Sequence, residues 1–343
     1  EDGIRDKLVT GVQTCALPIC ILKILFADKF PDSGMAQLCQ QGHECVSQPD
    51  LDGNTLVEAI GDAEVLVVRS TRVTSDAIAA AAALHLVIRA GAGTNTIDIE
   101  AAAARKIPVC NVPGKNAIAV AELVMGLLIA IDRNIPDNVI DLRAGQWNKK
   151  KYAAAKGLYG RHMGIVGLGA IGLAVAQRAR AFGIQVYVVD KPDRKPEMQE
   201  QISKLELQTV PDLPTLLACC DIVSLNVPAA PETRGLVDST FLAAVQPGTI
   251  ILNASRGDVI DEAALLKAMD EKGVRVGLDV YADEPAASQS SFDSQLAMHP
   301  NVYGTHHIGA STDQAQAAVA DGVLEIIEAF DTGLVLHCVN GQV

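Results

Sequence analysis

The sequence predicts an α/β protein with doubly wound parallel sheets, and three observations carry that expectation. Short β-rich runs alternate with helical runs from Lys23 nearly to the end, as in strands joined by helical crossovers. A glycine turn, Gly167-Leu-Gly-Ala-Ile-Gly172, stands between the β-rich Met163–Val166 and an apolar helical run. The 343 residues, 49% of them hydrophobic, suffice for two domains of ~100–200 residues each.

The glycine turn is the most informative stretch. Beyond its helix, the β-rich Gln185–Val189 ends on Asp190, which lies 190 − 172 = 18 residues past the last glycine. This is the order of a dinucleotide βαβ unit. Gly167 makes the tight turn, Gly169 lets backbone amides reach a pyrophosphate, and Gly172 lets helix and strand pack closely. Ala170 and Ile171 belong to the same cofactor loop, with the pyrophosphate on the helix N-terminus. Asp190 can accept hydrogen bonds from the adenosine ribose and would repel a 2′-phosphate, so NAD is favoured over NADP. Lys191 and Arg194 pull the other way.

Aromatic residues make up only 3% of the chain, so Ala, Val, Ile and Leu must build the core. A formal charge of −13 argues against nucleic acid or an anionic membrane as partner. An anionic substrate must then be held by local positive charge. Eight cysteines without a C-x-x-C pair, and seven histidines without ligand spacing, suggest a reduced, cytoplasmic protein with no metal. The adjacent Cys219 and Cys220 end a helical run and are expected to be buried small apolar residues.

Residues 1–21 differ from the rest. Arg5 and Lys7 precede an apolar run that Pro18 interrupts and Lys23 closes, a poor secretion signal. The segment resembles the in-frame translation of a sequencing adapter and is set aside from the fold. Strands are then expected at Ile24–Ala27, Val65–Val68 and Leu86–Ile88, with helices at Gly34–Gln41 and Asp76–Ala83. A long apolar helix over Ile118–Ile131 follows, with Glu122 inside it as a cap or interhelix pair. Trp147 beside Lys149, Lys150 and Lys151 marks a solvated run or a subunit contact. Later strands are expected at Ile222–Asn226, Thr249–Asn253, Val274–Leu278 and Val302–Thr305, with helices at Glu262–Glu271 and Asp313–Phe330.

Three strand-end loops past the glycine turn hold a cation, a carboxylate and an imidazole: Arg256, Glu284 and His307. In a parallel sheet such loops share one edge, so all three can converge on a bound cofactor. Oxidation of a hydroxyl needs a base for the proton as hydride leaves the carbon, and His suits working pH. A neighbouring carboxylate orients the ring, and a guanidinium can hold an α-carboxylate or a ketone oxygen. His306 is a competing imidazole.

Four ordered motifs, Gly167–Gly172, Asn253-Ala-Ser-Arg-Gly257, Leu278-Asp-Val-Tyr-Ala-Asp-Glu-Pro285 and His307-Ile-Gly-Ala-Ser-Thr312, resemble the NAD-dependent D-2-hydroxyacid dehydrogenases over about 23–343. Within that family Val68–Thr74, Arg89–Gly93 and Asn116–Glu122 are most similar to the phosphoglycerate dehydrogenase branch. The resemblance implies a Rossmann-type NAD-binding domain (115–307) inserted in a flavodoxin-like substrate domain (22–114 and 308–343), hinged at the two crossings. It implies His307 as acid/base, Glu284 as its partner and Arg256 as substrate clamp. Val227, Pro228 and Ala254 join the cofactor set, with Asp279 near the nicotinamide carboxamide. The substrate carboxylate falls to Ala92 and Gly93, its phosphate to Arg69, Arg72 and Arg89, and Ser70 and Asn116 complete that set. A homodimer or higher oligomer is expected, with the Trp147–Lys151 arm reaching a neighbouring subunit, and without the C-terminal regulatory domain of longer relatives.

Departures from the family pattern bear on substrate choice. His306 stands in place of a proline, Asn226 in place of a histidine, and Thr94-Asn95-Thr96 in place of Val-Asp-Asn, while the Arg69–Thr74 loop is one residue short. The branch implies oxidation of D-3-phosphoglycerate, the entry to serine synthesis. A hydroxypyruvate or glyoxylate reductase, and an NAD(H)-sensing corepressor, remain open as alternatives.

Overall fold

The computed structural model describes residues 21–285 and 289–341. Almost all of the leading segment set aside above lies outside the described residues. The described residues divide into two compact units, one formed by residues 21–113 with 319–341, the other by Gly114–Ala318.

The first unit holds β1 (Lys23–Phe26), β2 (Glu44–Ser47), β3 (Val65–Val68), β4 (Leu86–Arg89) and β5 (Val109–Asn111). They form one parallel sheet in the order β2-β1-β3-β4-β5, the flavodoxin-like order. Alternate residues go to opposite faces. Leu25, Leu66, Val68 and Val87 meet one apolar cluster. Ile24, Phe26, Val65, Val67 and Ile88 meet another, which also takes Leu38 and the late-chain Val323, Leu324 and Ile327. Helices on both faces explain why β3 reads Val-Leu-Val-Val without polar alternation.

The second unit holds β6 (His162–Val166), β7 (Gln185–Val189), β8 (Gln208–Val210), β9 (Ile222–Leu225), β10 (Ile250–Asn253), β11 (Arg275–Leu278) and β12 (Val302–Gly304). Its order is β12-β11-β10-β9-β6-β7-β8, parallel throughout. The chain proceeds outward from β6 to β8, then returns to the other side of β6 at β9. Direction therefore reverses between β6 and β9, where the loops part and leave a crevice at the strands' C-terminal ends.

The helix Ala117–Arg133 lies against β10, β11, β12 and the helix Ala170–Ala181. Ala121, Val124, Leu128 and Ile131 are buried at helical spacing, and each large side chain of this kind contributes ~1.5–3 kcal/mol on burial. Glu122 pairs with Arg178 at 3.0 Å and ties the two helices together. Asn134 ends the helix in the left-handed region at φ 50°, where asparagine is tolerated. Arg161 is partly buried between Asp132 at 3.2 Å and Asp221 at 2.8 Å, an ion-paired node that joins the helix end to the sheet.

Caps account for small shifts from the expected bounds. Thr74 accepts from Ala77 N–H, so the helix begins at Ser75; it ends at Ala80, as Ala81 leaves the helical region with ψ 88°. Asp212, Asp238 and Asp261 cap later helices in the same way. The edge strands β2 and β8 are polar and partly exposed, and their sequences carry no apolar run to announce them. Cys220 is fully buried, and Cys219 packs against the same cluster. Among the described residues no helix is long and apolar enough to cross a membrane.

Candidate active site

In the second unit the glycine turn follows β6 and opens the helix Ala170–Ala181. Gly167 has φ +94°, and a Cβ there would lie 2.4 Å from the carbonyl oxygen of Asn226, just past β9. The turn thus sits at the switch point between β6 and β9. A Cβ on Gly172 would lie 2.0 Å from Gly167 O, so the helix can approach the turn only without a side chain. A Cβ on Gly169, in contrast, would meet nothing within 4 Å. That open space over the amides of Ala170 and Ile171 suits a pyrophosphate, and the residues present therefore fit a dinucleotide. Asp190 is exposed directly after β7, while Arg194 donates to the carbonyl of Val189 beside it. Val227 and Pro228 follow β9, and Ala254 follows β10.

Three loops of the same unit bring Arg256, Glu284 and His307 together. After β10, buried Asn253 accepts from Ser255 N–H at 3.0 Å and Ser255 Oγ at 2.7 Å, and donates to Arg256 O at 2.8 Å, which fixes the loop. A Cβ on Gly257 would lie 2.0 Å from Tyr281 backbone, so the Arg256 loop rests on the segment that carries Glu284. Glu284 Oε1 accepts from Tyr281 N–H at 2.9 Å, and Oε2 meets His307 Nδ1 at 2.7 Å. Nε2 is left on the far side of a half-exposed ring.

Burial pushes the Glu284 carboxyl up, but the hydrogen bonds from His307 and Tyr281 and the charges of His307 and Arg256 outweigh it, so the group ends below its ordinary value. Folding gains from this pairing above the ordinary carboxylate range and loses the gain as pH falls through the depressed value.

Asp279 organises the imidazole loop. Its buried carboxylate accepts from Thr305 Oγ1 at 2.6 Å, Ile308 N–H at 2.8 Å and Gly309 N–H at 2.8 Å, and its carbonyl accepts from His307 N–H at 2.8 Å. Both carboxylate oxygens are thus engaged within the loop, a use the sequence did not announce. His306 is exposed beside this loop.

Asn116 caps the start of helix Ala117–Arg133 by position only, since its Oδ1 is buried and accepts no hydrogen bond.

The remaining expected substrate residues lie in the first unit. Asp28 accepts from the N–H groups of Arg69 at 2.6 Å, Ser70 at 3.0 Å and Thr71 at 3.1 Å, so one carboxylate fixes the loop after β3 and turns Ser70 and Arg72 outward. Nothing in the sequence singled out Asp28. Arg89 ends β4 and folds over Gly91, where a Cβ would lie 1.6 Å from its Nη1. Ala92 O accepts from Asn111 Nδ2 at 2.6 Å beside Gly93. Among the described residues no group of three or more His, Cys, Asp or Glu side chains could hold a metal ion.

The D-isomer specific 2-hydroxyacid dehydrogenase family, through its NAD binding domain, matches residues 125–309. The chain belongs to this family. It is 38% identical over 311 residues to a D-3-phosphoglycerate dehydrogenase of Methanocaldococcus jannaschii, covering 90% of this chain and 57% of that protein. It is 40% identical over 307 residues to a D-3-phosphoglycerate dehydrogenase of Mycobacterium tuberculosis, covering 89% and 56%. The chain thus spans little more than half the length of these relatives. Among solved structures it is similar to an NADPH-dependent glyoxylate/hydroxypyruvate reductase of Sinorhizobium meliloti in complex with NADP and malonate, with TM-score 0.77 and 28% identity, covering 93% of this chain and 96% of that one.

Gly172→Ala should weaken NADH binding by about tenfold or more, since a backbone oxygen 2.0 Å from the new methyl must move and ~1.4 kcal/mol is already tenfold. Titration of NADH fluorescence checks this, and unchanged affinity would contradict the close-packed turn.

Proposed function

We propose that the chain oxidises D-3-phosphoglycerate to 3-phosphohydroxypyruvate with NAD. The observation that carries the chemistry is the His307–Glu284 pair at 2.7 Å in the NAD-binding unit; the relatives' activity supports the substrate. Bound on the glycine turn, NAD would supply the acceptor for the hydride that leaves the substrate carbon. His307 takes the hydroxyl proton at Nε2, its Nδ1 being engaged by Glu284. The Glu284 carboxylate stabilises the resulting imidazolium and fixes the ring plane. Arg256 holds the substrate carboxylate or the oxygen on which charge develops. Asp190 favours NAD by repelling a 2′-phosphate. Arg69, with Arg72 and Arg89, holds the substrate phosphate, and Ala92 and Gly93 offer amides to the carboxylate; the first unit is accordingly assigned to substrate and the second to cofactor.

A reductase of glyoxylate or hydroxypyruvate is the second reading, favoured by the similarity to the Sinorhizobium meliloti enzyme. Steady-state kinetics with 3-phosphoglycerate, glycerate and glyoxylate, each with NAD(H) and NADP(H), separates the two. Efficient turnover of the unphosphorylated acids, or equal use of NADP, overturns the proposal, and no turnover at all would favour a binding protein.

His307→Ala should lower kcat by roughly 10²–10⁴-fold while NADH binding is kept, the usual worth of acid/base assistance. A mild effect at His307 with a severe one for His306→Ala would transfer the role to the neighbouring imidazole. Arg69→Ala should raise KM for 3-phosphoglycerate by on the order of 10–150-fold, corresponding to ~1.5–3 kcal/mol for a charge-assisted contact, and leave glycerate kinetics unchanged. Equal losses with both acids would remove Arg69 from the phosphate site.

The exposed Ile140, Leu142 and Trp147 support self-association through the helix Ile135–Arg143 and the arm that follows. Analytical ultracentrifugation should find a dimer or larger oligomer, and a monomer at micromolar concentration would refute it.

A further inference from the structure

Cys110 and Cys338 are far apart in sequence and face each other in the first unit. The chain beyond the helix Asp313–Asp331 returns along β5, the edge strand of the five-stranded sheet. Val339 N–H donates to Val109 O at 2.8 Å, and Asn111 N–H donates to His337 O at 3.2 Å. The Asn340 side chain reinforces the contact, accepting from Val109 N–H at 2.9 Å and donating to Ile107 O at 2.8 Å. Cys110 and Cys338 are thereby opposed in an antiparallel bridge.

The flanking hydrogen bonds belong to their neighbours, so the two cysteines occupy the non-hydrogen-bonded position. There, opposite Cα atoms lie ~4.5 Å apart and side chains leave on the same face. A disulfide requires Cα atoms ~4.4–6.8 Å apart. Both side chains also join one apolar cluster, Cys110 within it and Cys338 at its margin.

We propose that Cys110 and Cys338 form a thiol–disulfide site, at which an external low-molecular-weight disulfide of the glutathione class staples the returning segment to the sheet edge. The partly exposed Cys338 meets the reagent first. Its sulfur loses its proton and attacks one sulfur of the external disulfide, whose S–S bond breaks and whose other half leaves as a thiol. Cys110 then gives up its proton, its sulfur attacks that of Cys338, and the second external thiol departs. Two protein thiols and one external disulfide become one protein disulfide and two external thiols.

Two features set the pace of this exchange. Cys338 Sγ now donates to Asn340 Oδ1 at 3.1 Å and Gly341 O at 2.9 Å, and must turn away from them. Burial, with the neighbouring Cys338 adding to it, pushes the Cys110 thiol up to about 12. The closing step is therefore slow, on the scale of hours.

The bond would matter to this unit in particular, because the unit is assembled from two separate stretches of chain. It would close a loop of 338 − 110 = 228 residues, and long loops gain most from closure in the chain-entropy account. Two other sulfur pairs serve as internal controls: Cys219 and Cys220, with sulfurs 3.7 Å apart, and Cys39 beside Cys45.

The full chain is incubated overnight with oxidised glutathione or with dithiothreitol, alkylated, digested and weighed by mass spectrometry. The expected product is one cross-linked peptide pair containing Cys110 and Cys338, two hydrogens lighter than the separate peptides. The oxidised protein should melt roughly 5 °C or more above the reduced one, reversibly with dithiothreitol, and the shift should vanish in Cys338→Ser and Cys338→Ala. A glutathione adduct on Cys338 without a cross-link, a cross-link confined to the control sulfurs, or a melting rise that survives in both variants would each overturn the proposal.

Discussion

The buried Asp279 carboxylate is the constraint on which the placing of His307 beside Glu284 depends. A carboxylate taken out of water is costly unless its lone pairs are filled, and here Thr305, Ile308 and Gly309 fill them. A Cβ on Gly309 would come within 2.9 Å of Asp279 Oδ2, so the amide reaches the acid only because the residue is glycine. With both sides of His307 held, its backbone stays at φ +52°, a conformation that costs ~1–2 kcal/mol for a residue with a side chain. The β11 segment that supplies Asp279 also runs on to Glu284. One short stretch therefore fixes where the imidazole stands and which of its nitrogens meets a carboxylate.

Charge is arranged against the bulk balance of the molecule. At a formal −13, long-range attraction cannot bring in the anionic substrate proposed above, so the proposal leaves that task to short-range cations and aligned amides. Each loop that carries such a group is organised by a polar residue saturating its main chain: Asn253 for Arg256, and Asp28 for Arg69 and its neighbours. Backbone groups satisfied inside the loop need no rearrangement when a ligand arrives, and the long cationic side chains are then presented from a fixed base.

Much of this was legible in the sequence because it is local. The glycine turn and the carboxylate after β7 are contiguous with their strand and helix, and the apolar runs of β3, β4, β9 and β10 announce strands covered on both faces. Edge strands β2 and β8 escaped notice because half-exposed polar residues build them. Asp28, the Asp132–Arg161–Asp221 node and the facing Cys110 and Cys338 escaped for another reason. Their partners lie 29 to 228 residues away along the chain, so no periodicity or spacing in one sequence records the pairing. Asp279 was singled out, but its hold on the His307 loop needs the register of β11 beside β12 to be seen.

Family membership and the proposed substrate rest on separate pieces of chain. The family match spans residues 125–309, within the unit that holds the glycine turn, Arg256, Glu284 and His307. In the proposed reaction those residues meet the parts that every 2-hydroxy acid shares: a cofactor, a hydroxyl proton and a carbon that gives up hydride. Arg69, Arg72, Arg89 and the Ala92–Gly93 turn all precede the matched range and lie in the other unit. The proposal gives these groups the task of telling one acid from another, a phosphate above all, because a cation placed for a phosphate does nothing for hydride chemistry. On the proposed reading, loss of the Arg69 group would redirect turnover to another acid without touching the His307–Glu284 pair, whereas loss of that pair would silence turnover of every acid.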